Sequence, residues 1–468
     1  MTPKPRNGTY QPDTPIAGLK EWLADEVRPA TFPRHILRCR NDRAAADIGL
    51  ADLSNEKWLD HFARFQPLPQ NLPQPLALRY HGHQFRVYNP DIGDGRGFLF
   101  AQMRDGEGRL LDLGTKGSGK TPYSRTADGR LTLQGAVREW LATEMLEALG
   151  VYTSRTFSIV ETGEELERGD EPSPTRSAVL TRLSHGHIRV GTFQRLLALE
   201  ERDHMEQLVT YCLEQFPGPP PPEEAPGRDK PAVILMHQVV ERMADLAASY
   251  MTAGFVHGVL NTDNMNISGE SFDYGPWRFL PRWDPGFTAA YFDHAGLYAF
   301  GRQPEAIHWN CGQFAVALRL LADAPPLIAA LERFGPLYHR NVARRWCWRL
   351  GLDSHGEDSD ARLVALSEQA MRESQQSPDA FFHRHFGGRN ATGELDALLA
   401  QYDQRETPGQ MPPDPPNLHN DTVRALWAAI AERDDWQPLL DQIARIRRLG
   451  AALGLAPAPA AHLRKTHG

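Results

Sequence analysis

Alternating and continuous apolar runs, typical of β-strands, dominate the chain between residues 77 and 183. The runs at 98–103 and 109–113 flank Asp105-Gly106-Glu107-Gly108, a glycine-rich sequence of the kind that joins two paired strands. The pattern therefore predicts a β-hairpin. Further strands are predicted over 151–160 and 178–183.

Apolar side chains recur at helical spacing in two long segments, 132–149 and 233–253, which predict amphipathic helices. Each segment is followed by a glycine, Gly150 or Gly254, that is typical of a helix end. Other helices are predicted over 18–27, 58–65, 191–216 and 305–324. Proline-rich breaks are predicted over 67–75, 217–231 and 407–420, and a loop with a hairpin over 257–275.

Composition and charge exclude several classes of protein. The 468 residues are 24% charged and 41% hydrophobic, which excludes a disordered or fibrous chain. The formal net charge of −8 argues against nucleic-acid binding, which usually needs a basic surface. No apolar run is long enough to span a bilayer, and the polar first 15 residues lack the core of a secretory signal. Because the four cysteines form no Cys-x-x-Cys pair either, we expect a cytoplasmic enzyme that binds no membrane.

Residues 114–121, Gly-Thr-Lys-Gly-Ser-Gly-Lys-Thr, match the phosphate-loop pattern G-x-x-x-x-G-K-[ST]. That motif requires a helix directly after it, whereas Asp128-Gly129 predicts a turn within two helical turns. A phosphate-loop NTPase is therefore the weakest functional hypothesis, and a flexible glycine-rich loop is the alternative.

A second pattern has the order of a protein-kinase active site: a glycine-rich turn, a strand lysine and a helix glutamate. The turn is 91–97, where glycine lets backbone N–H groups approach a phosphate closely. Lys116 follows the next pair of strands, and Glu139 lies in the helix predicted after it. Each feature is weak alone, because such turns and glutamates are common at protein surfaces.

The segment 257–264, His-Gly-Val-Leu-Asn-Thr-Asp-Asn, resembles the kinase loop H-x-D-x-x-x-x-N. Val259 stands where a kinase has its catalytic aspartate, so Asp263 is the available carboxylate. Asp273 opens a D-F-G-like triplet, and Asn264 with Asp273 would supply the hard oxygen ligands that suit Mg²⁺. The alternative is a surface hairpin in which these side chains form turns. The chain is thus predicted either to bind nucleotide without chemistry or to use another group as its base.

Several ordered runs between residues 80 and 304 are too long to match a known family by chance. They are 114–125 with 128–130, 179–184, 187–194, 255–265 and 273–276, together with Gly82-His-Gln-Phe85 and Gly93-Asp-Gly-Arg96. These runs resemble the selenoprotein O family, and the length of the chain suits the whole family.

The resemblance implies an α+β, protein-kinase-like, two-lobed fold with extra helical segments at both ends. It implies an N-terminal extension (1–76), a strand-rich N-lobe with one key helix (77–190), a helical C-lobe core (191–330) and a C-terminal helical extension (331–468). It also implies a protein adenylyltransferase, which transfers AMP from ATP to Ser, Thr or Tyr hydroxyls of proteins and binds ATP inverted relative to kinases. A kinase-like phosphotransferase and a catalytically silent ATP-binding scaffold stay open as alternatives.

Residue roles follow from the same resemblance. Asp263 is expected to accept a proton as the catalytic base, and Asn264 with Asp273 to hold Mg²⁺, with Mn²⁺ as an alternative. Lys116 is expected to hold phosphate and to pair with Glu139. The expected nucleotide-binding residues are Gly93, Gly95, Arg96, Lys116, Asp128, Gly129, Arg182, Arg189 and Asp273. The two arginines in this set are expected to clamp the terminal phosphates, and we expect a monomer that uses ATP, with UTP left open.

Two positions depart from the family pattern. Arg86 follows Gly-His-Gln-Phe85 where the family usually has glycine, so we expect a different local loop. No cysteine follows Cys347 and the chain has no selenocysteine, so we expect no redox control through a C-terminal tail.

Overall fold

The computed structural model describes residues 8–169 and 172–454. The strands lie mainly in the first 184 residues. They are Gln11–Pro12 (β1), Ala24–Glu26 (β2), Ile36–Arg40 (β3), Leu76–Leu78 (β4), Gly82–Gln84 (β5), Val87–Asn89 (β6), Leu99–Arg104 (β7), Leu110–Lys116 (β8), Leu131–Thr132 (β9), Arg155–Leu166 (β10), Thr175–Ser184 (β11), Phe255–Val256 (β12) and Arg278–Phe279 (β13).

Helices fill most of the remaining chain. They are Lys20–Leu23 (α1), Asp42–Asp47 (α2), Asn55–Phe62 (α3), Leu133–Ala148 (α4), Val190–Ala198 (α5), Arg202–Gln215 (α6), Pro231–Ala253 (α7), Gln303–Leu318 (α8), Ala324–Glu332 (α9), Phe334–Leu350 (α10), Glu357–Ser374 (α11), Pro378–Arg384 (α12), Gly393–Leu399 (α13), Asn420–Arg433 (α14) and Gln437–Leu453 (α15). The protein is therefore a mixed α+β protein. Within the described residues, no helix combines the length and the apolar composition needed to cross a membrane.

One antiparallel sheet organises the strands, with the order β2-β4-β7-β8-β11-β10-β3 and with β1 paired to β7 and β9 to β11. The predicted hairpin is confirmed as β7–β8. Asp105 closes its turn by accepting hydrogen bonds from the N–H groups of Glu107 (3.0 Å) and Arg109 (2.9 Å). β8 continues past its predicted end because Gly114 to Lys116 pair with β11. This extension carries Lys116 into the lining of a cleft beside the sheet.

The two long predicted helices are confirmed as α4 and α7. The Thr132 hydroxyl accepts a hydrogen bond from the Gly135 N–H (3.0 Å) and so caps the first turn of α4. Gly150 and Gly254 follow the two helices in the left-handed conformation, with φ of 74° and 64°, which a residue without Cβ adopts without strain.

Three local predictions need correction. The predicted helix over 18–27 ends at Leu23, because 24–26 pair with β4 as strand β2. The helical region 191–216 is two helices, since Glu200 takes a left-handed conformation (φ 56°) between α5 and α6. Residues 257–275 form loops with a turn in place of a hairpin. Their only strand-like contacts in the described structure are single bridges, Arg189 to Asn266 and Thr153 to Ser271. The absence of a helix directly after Thr121 is confirmed.

Buried apolar clusters lie on both faces of the sheet. Because neighbouring side chains of a strand point to opposite faces, Leu180 of β11 joins α4 and the helices after it, whereas Val179 joins a cluster with α2 and α3. A third cluster holds α10 to α13 together.

The last helix packs on the sheet-side helix α4. Arg447 of α15 donates two hydrogen bonds to the carboxylate of Glu144 (2.8 and 2.5 Å). A Cβ at Gly450 would lie 3.0 Å from the Cα of Ala148, so the two helix backbones approach closely. The C-terminal segment therefore supports the helix that carries Glu139.

Candidate active site

A cleft of about 380 Å³ separates the sheet from the loops that precede α5 and α8. Its volume falls in the range of small-molecule sites. Its lining includes Tyr80, Gln84, Gly93, Asp94, Gly95, Arg96, Lys116, Tyr123, Ser124, Arg125, Arg182, His187, Arg189, Val259, Asp263, Asn264 and Asp273. Residues more than 150 positions apart in sequence thus meet in one place.

Most predicted site residues lie in this cleft. The predicted residues that line it are Gly93, Gly95, Arg96, Lys116, Arg182, Arg189, Asp263, Asn264 and Asp273. Glu139 lies behind Lys116 and is buried. Asp128 and Gly129 are not in the lining, and the Asp128 carboxylate pairs with Arg168 (2.9 Å). They belong to the loop between β8 and β9, whose residues 123–125 and 127 do face the cleft.

The predicted pair of a strand lysine and a helix glutamate is present. The Nζ of Lys116 donates to Oε2 of Glu139 at 2.7 Å, and both side chains are buried. Burial lowers the pKa of Lys116, and the Glu139 carboxylate partly offsets that effect. Glu139 therefore holds the Nζ of Lys116 in a fixed direction in the lining of the cleft.

Removing Glu139 should destabilise the folded protein strongly. In Glu139→Ala the buried Lys116 ammonium loses its closest carboxylate, and breaking a buried pair costs about 3–5 kcal/mol. The exposed pair of Arg64 and Asp60 (2.7 Å) provides the control, because Asp60→Ala should cost only about 0–1 kcal/mol. Urea unfolding of both variants measures the difference. Equal losses would contradict the assignment of Lys116–Glu139 as a buried structural pair.

Asp273 is the centre of charge in the cleft. Its two carboxylate oxygens accept from Nη1 of Arg182 and Nη1 of Arg189, both at 2.5 Å, and Lys116 lies 3.8 Å away. Burial opposes ionisation, but these three cations hold the pKa of Asp273 well below its usual range. Its backbone is left-handed (φ 59°), a conformation that is uncommon for residues other than glycine and often marks functional sites.

The guanidinium of Arg189 is held from several sides. It donates to the backbone oxygen of Asp263 (2.7 Å) and to the Asp94 carboxylate (3.2 Å) as well as to Asp273. It also lies 4.6 Å from the ring centres of Tyr80 and Phe272. Burial alone would lower the pKa of Arg189, but Tyr80 and the carboxylates raise it, so this side chain stays charged. Such a fixed planar cation suits recognition of phosphate.

Asp263 lines the cleft beside Arg189 and is a suitable proton acceptor. Its Oδ2 accepts a hydrogen bond from Nε2 of Gln84 (3.3 Å), whereas Oδ1 is buried without a partner in the described structure. Burial raises the pKa of Asp263 to about 6. A general base works best with a pKa near the operating pH, so this environment favours that role.

The two side chains that are expected to bind a cation, Asn264 and Asp273, carry suitable oxygen ligands. Asn264 donates through Nδ2 to the backbone oxygen of Val259 (2.8 Å), which fixes the side chain and leaves its carbonyl oxygen as an acceptor beside the cleft. Asp273 adds a carboxylate that stays ionised. One carboxylate and one amide oxygen match the small protein ligand sets that Mg²⁺ uses together with phosphate oxygens.

Sequence reasoning missed several residues of the cleft. The Asp94 carboxylate accepts hydrogen bonds from Arg189 and from the N–H of Leu78 (3.0 Å). Gln84 donates a hydrogen bond to Asp263. Nδ1 of His187 donates a hydrogen bond to the Asp112 carboxylate (3.0 Å). Gln84 lies in the run 82–85 that resembles the family, and Asp94 lies in the glycine-rich turn. Their positions in these motifs indicate the site, but the sequence alone does not predict which residues they contact.

Of the two departures from the family pattern, only Arg86 can be placed, because the C-terminal residues 455–468 lie outside the described residues. Phe85 and Arg86 form the two-residue turn between β5 and β6, with φ of 51° and 64°, so arginine adopts a backbone that glycine favours. Arg86 pairs with Glu305 (3.0 Å). The four cysteines are all buried and free.

Comparison with known proteins agrees with this site. A family profile for protein adenylyltransferase SelO matches residues 7–392. The chain belongs to the protein adenylyltransferase SelO family. The match to this family includes every residue that lines the cleft.

Curated relatives give the same result over most of the chain. A protein nucleotidyltransferase YdiU of Synechocystis sp. is 40% identical over 477 residues, which cover 94% of this chain and 98% of the relative. That of Synechococcus elongatus is 46% identical, over 78% of this chain and 73% of the relative. That of Vibrio cholerae serotype O1 is 38% identical, over 75% and 69%. Membership of the SelO family identifies the chain as a nucleotidyltransferase.

Proposed function

We propose that this protein transfers AMP from ATP to the hydroxyl groups of Ser, Thr or Tyr residues on other proteins. Family membership supports a nucleotidyltransferase. The observation that carries the proposal is the position of Asp263, a carboxylate with a raised pKa at the wall of the cleft that also holds Lys116 and the two arginines. Val259 lines the same cleft where a kinase-type loop would place its base, and it cannot accept a proton.

The proposed fold is two-lobed and kinase-like. It is supported by the strand lysine and helix glutamate pair, by the glycine-rich turn between β6 and β7, and by the position of the cleft between the sheet and the helical part. The residue ranges 77–190 and 191–330 are proposed as the two lobes, with 1–76 and 331–468 as extensions.

The proposed pose has ATP inverted relative to kinases. Arg182 and Arg189 then bind the terminal phosphates, Lys116 holds a phosphate, and the α-phosphorus faces Asp263. A Mg²⁺ ion, or Mn²⁺, held by Asn264 and Asp273 would neutralise charge on the phosphates. Asp128 and Gly129 are proposed to contact the nucleotide through the loop that carries them.

The transfer is a single displacement at phosphorus. Asp263 accepts the proton of the acceptor hydroxyl, the hydroxyl oxygen forms a bond to the α-phosphorus, and the bond from that phosphorus to the β-phosphate bridging oxygen breaks. Pyrophosphate leaves with the electron pair of that bond. Arg182 and Arg189, already oriented by Phe272 and Asp273, stabilise its charge. The protein is proposed to act as a cytoplasmic monomer, with UTP as an alternative donor.

The co-product of the reaction tests the proposal. With ATP, Mg²⁺ and an acceptor protein, we expect one pyrophosphate released for each hydroxyl modified and no matching release of ADP. The control is the same mixture without divalent cation, in which release should stop. Stoichiometric ADP would support a phosphotransferase, and tight ATP binding without either product would support a scaffold.

A further inference from the structure

An exposed apolar surface lies beside Asp263 and outside the nucleotide cleft. We call it the apolar rim and define it as Val87, Tyr291 and Phe292, whose exposed fractions are 69%, 81% and 44%. These are three of the eight large apolar side chains that are exposed in the described residues, and the other five are Tyr88, Leu199, Val316, Ile328 and Leu440. None of the three rim residues lines the cleft. Clustered exposed apolar side chains are a mark of interaction sites.

The register of one hairpin connects the rim to the proposed base. Gln84 and Val87 are directly paired across β5 and β6, so their side chains share a face of the hairpin. Gln84 donates to the Asp263 carboxylate, and a Cβ at Gly82, on the same face, would lie 3.2 Å from Asp263. Val87 therefore stands next to the route that an acceptor hydroxyl must take to reach Asp263.

A second set of contacts fixes the other side of the rim. The amide oxygen of Asn261 accepts from the N–H of Phe85 (3.0 Å) and from the hydroxyl of Tyr298 (2.7 Å). The ring of Phe85 contacts the rings of Phe292 (5.8 Å between centroids) and Tyr298 (5.0 Å). Tyr291 packs edge-on against Phe292 (5.1 Å). The side-chain amide of Asn261 therefore links the β5–β6 hairpin and the loop that carries Asp263 to the segment 291–298, which carries the rim aromatics.

Three charged side chains beside the rim, Arg86, Glu305 and Arg302, are paired with one another. Arg86 binds Glu305 (3.0 Å) and lies over the ring of Trp309 (5.4 Å), and Glu305 also pairs with Arg302 (3.4 Å). These three side chains therefore leave no unpaired charge for a charged ligand to bind. The chemistry of the rim favours apolar side chains.

We infer that the apolar rim binds the acceptor protein, through an extended segment that carries a bulky apolar side chain close to the hydroxyl to be modified. This inference rests on the proposed function, because Asp263 defines where the hydroxyl must arrive. Burial of an apolar side chain on the rim supplies binding that does not depend on the nucleotide. The preferred acceptors are segments in which Leu, Phe or Met neighbours the modified Ser, Thr or Tyr.

Two matched sets of serine-containing peptides test the inference, one with Leu and Phe around the serine and one with Asp and Lys there. With α-labelled ATP and Mg²⁺, the wild-type protein should modify the apolar set with a kcat/KM about tenfold higher. The double variant Val87→Gln with Tyr291→Gln should raise the KM for the apolar set by about tenfold and abolish the preference, with kcat and ATP affinity unchanged. Ile328→Gln with Leu440→Gln is the matched control and should behave as wild type.

The outcomes separate the inference from the proposed function. Equal modification of the two sets by wild type, or an unchanged KM in the double variant, would overturn the rim as an acceptor site while leaving AMP transfer intact. Failure of wild type to transfer label to either set or to itself would overturn the proposed function and the inference with it. A fall in ATP affinity in the double variant would show that the rim belongs to the nucleotide site, which also overturns the inference.

Discussion

Replacing Asp263 by asparagine should lower the rate of AMP transfer by about 10²- to 10⁴-fold, the usual contribution of a general base. Asparagine keeps the size of the side chain, and its amide still accepts a hydrogen bond from Gln84, so folding and ATP binding should be unchanged. The measurement is single-turnover transfer from α-labelled ATP, with ATP affinity measured in parallel. Asp358→Asn, at an exposed carboxylate of α11 that does not line the cleft, is the control and should leave the rate unchanged.

The pH profile gives the same residue a second test. Burial raises the pKa of Asp263 to about 6, and only the ionised form accepts a proton. The wild-type kcat/KM should therefore rise about tenfold for each pH unit below that value and level off above it. In Asp263→Asn, kcat/KM should no longer rise with pH in this range. An unchanged rate in Asp263→Asn would remove Asp263 from the chemistry.

Replacing Asp273 by asparagine should separate catalysis from nucleotide binding. The variant loses the carboxylate proposed to hold Mg²⁺, so transfer should fall by at least about a hundredfold. ATP affinity without divalent cation should be unchanged or higher, because Arg182 and Arg189 no longer neutralise Asp273 and are free to bind phosphate. A merely structural role for Asp273 would weaken ATP binding and transfer together.

The matched control for Asp273 is Asp105→Asn. Asp105 is also a buried carboxylate paired with an arginine, Arg109 (2.7 Å), but it closes the β7–β8 turn away from the cleft. That variant should lose stability and keep its transfer rate per folded molecule. Loss of transfer in Asp105→Asn equal to that in Asp273→Asn would contradict a metal-holding role for Asp273.

The sequence predicted best where structure is local. The hairpin at Asp105 and the helix that carries Glu139 follow from turn residues and helical spacing, both of which act over a few positions. Lys116 and Glu139 are separated by one strand-to-helix connection, so their pairing could be predicted from motif order. The break at Glu200 could not, because a single left-handed residue leaves no periodic signal.

Long-range contacts set the limits of prediction in the site. Nothing in the spacing of Arg182 and Arg189 indicates that both bind Asp273, which lies 91 and 84 positions away. Asp94 and Gln84 acquire their contacts only when the sheet brings the turn and the hairpin against the helical part. The packing of α15 on α4 could not be predicted from the sequence either, since it depends on the close backbone approach at Gly450.

The proposed reaction attaches the α-phosphate of ATP, and not the γ-phosphate, to the acceptor. The most direct measurement supplies ATP labelled separately at the two positions, with Mg²⁺ and an acceptor protein, and counts covalent label on the protein. We expect label from α-labelled ATP alone, reduced at least about a hundredfold in Asp273→Asn. Label from γ-labelled ATP alone would contradict this expectation and identify a kinase.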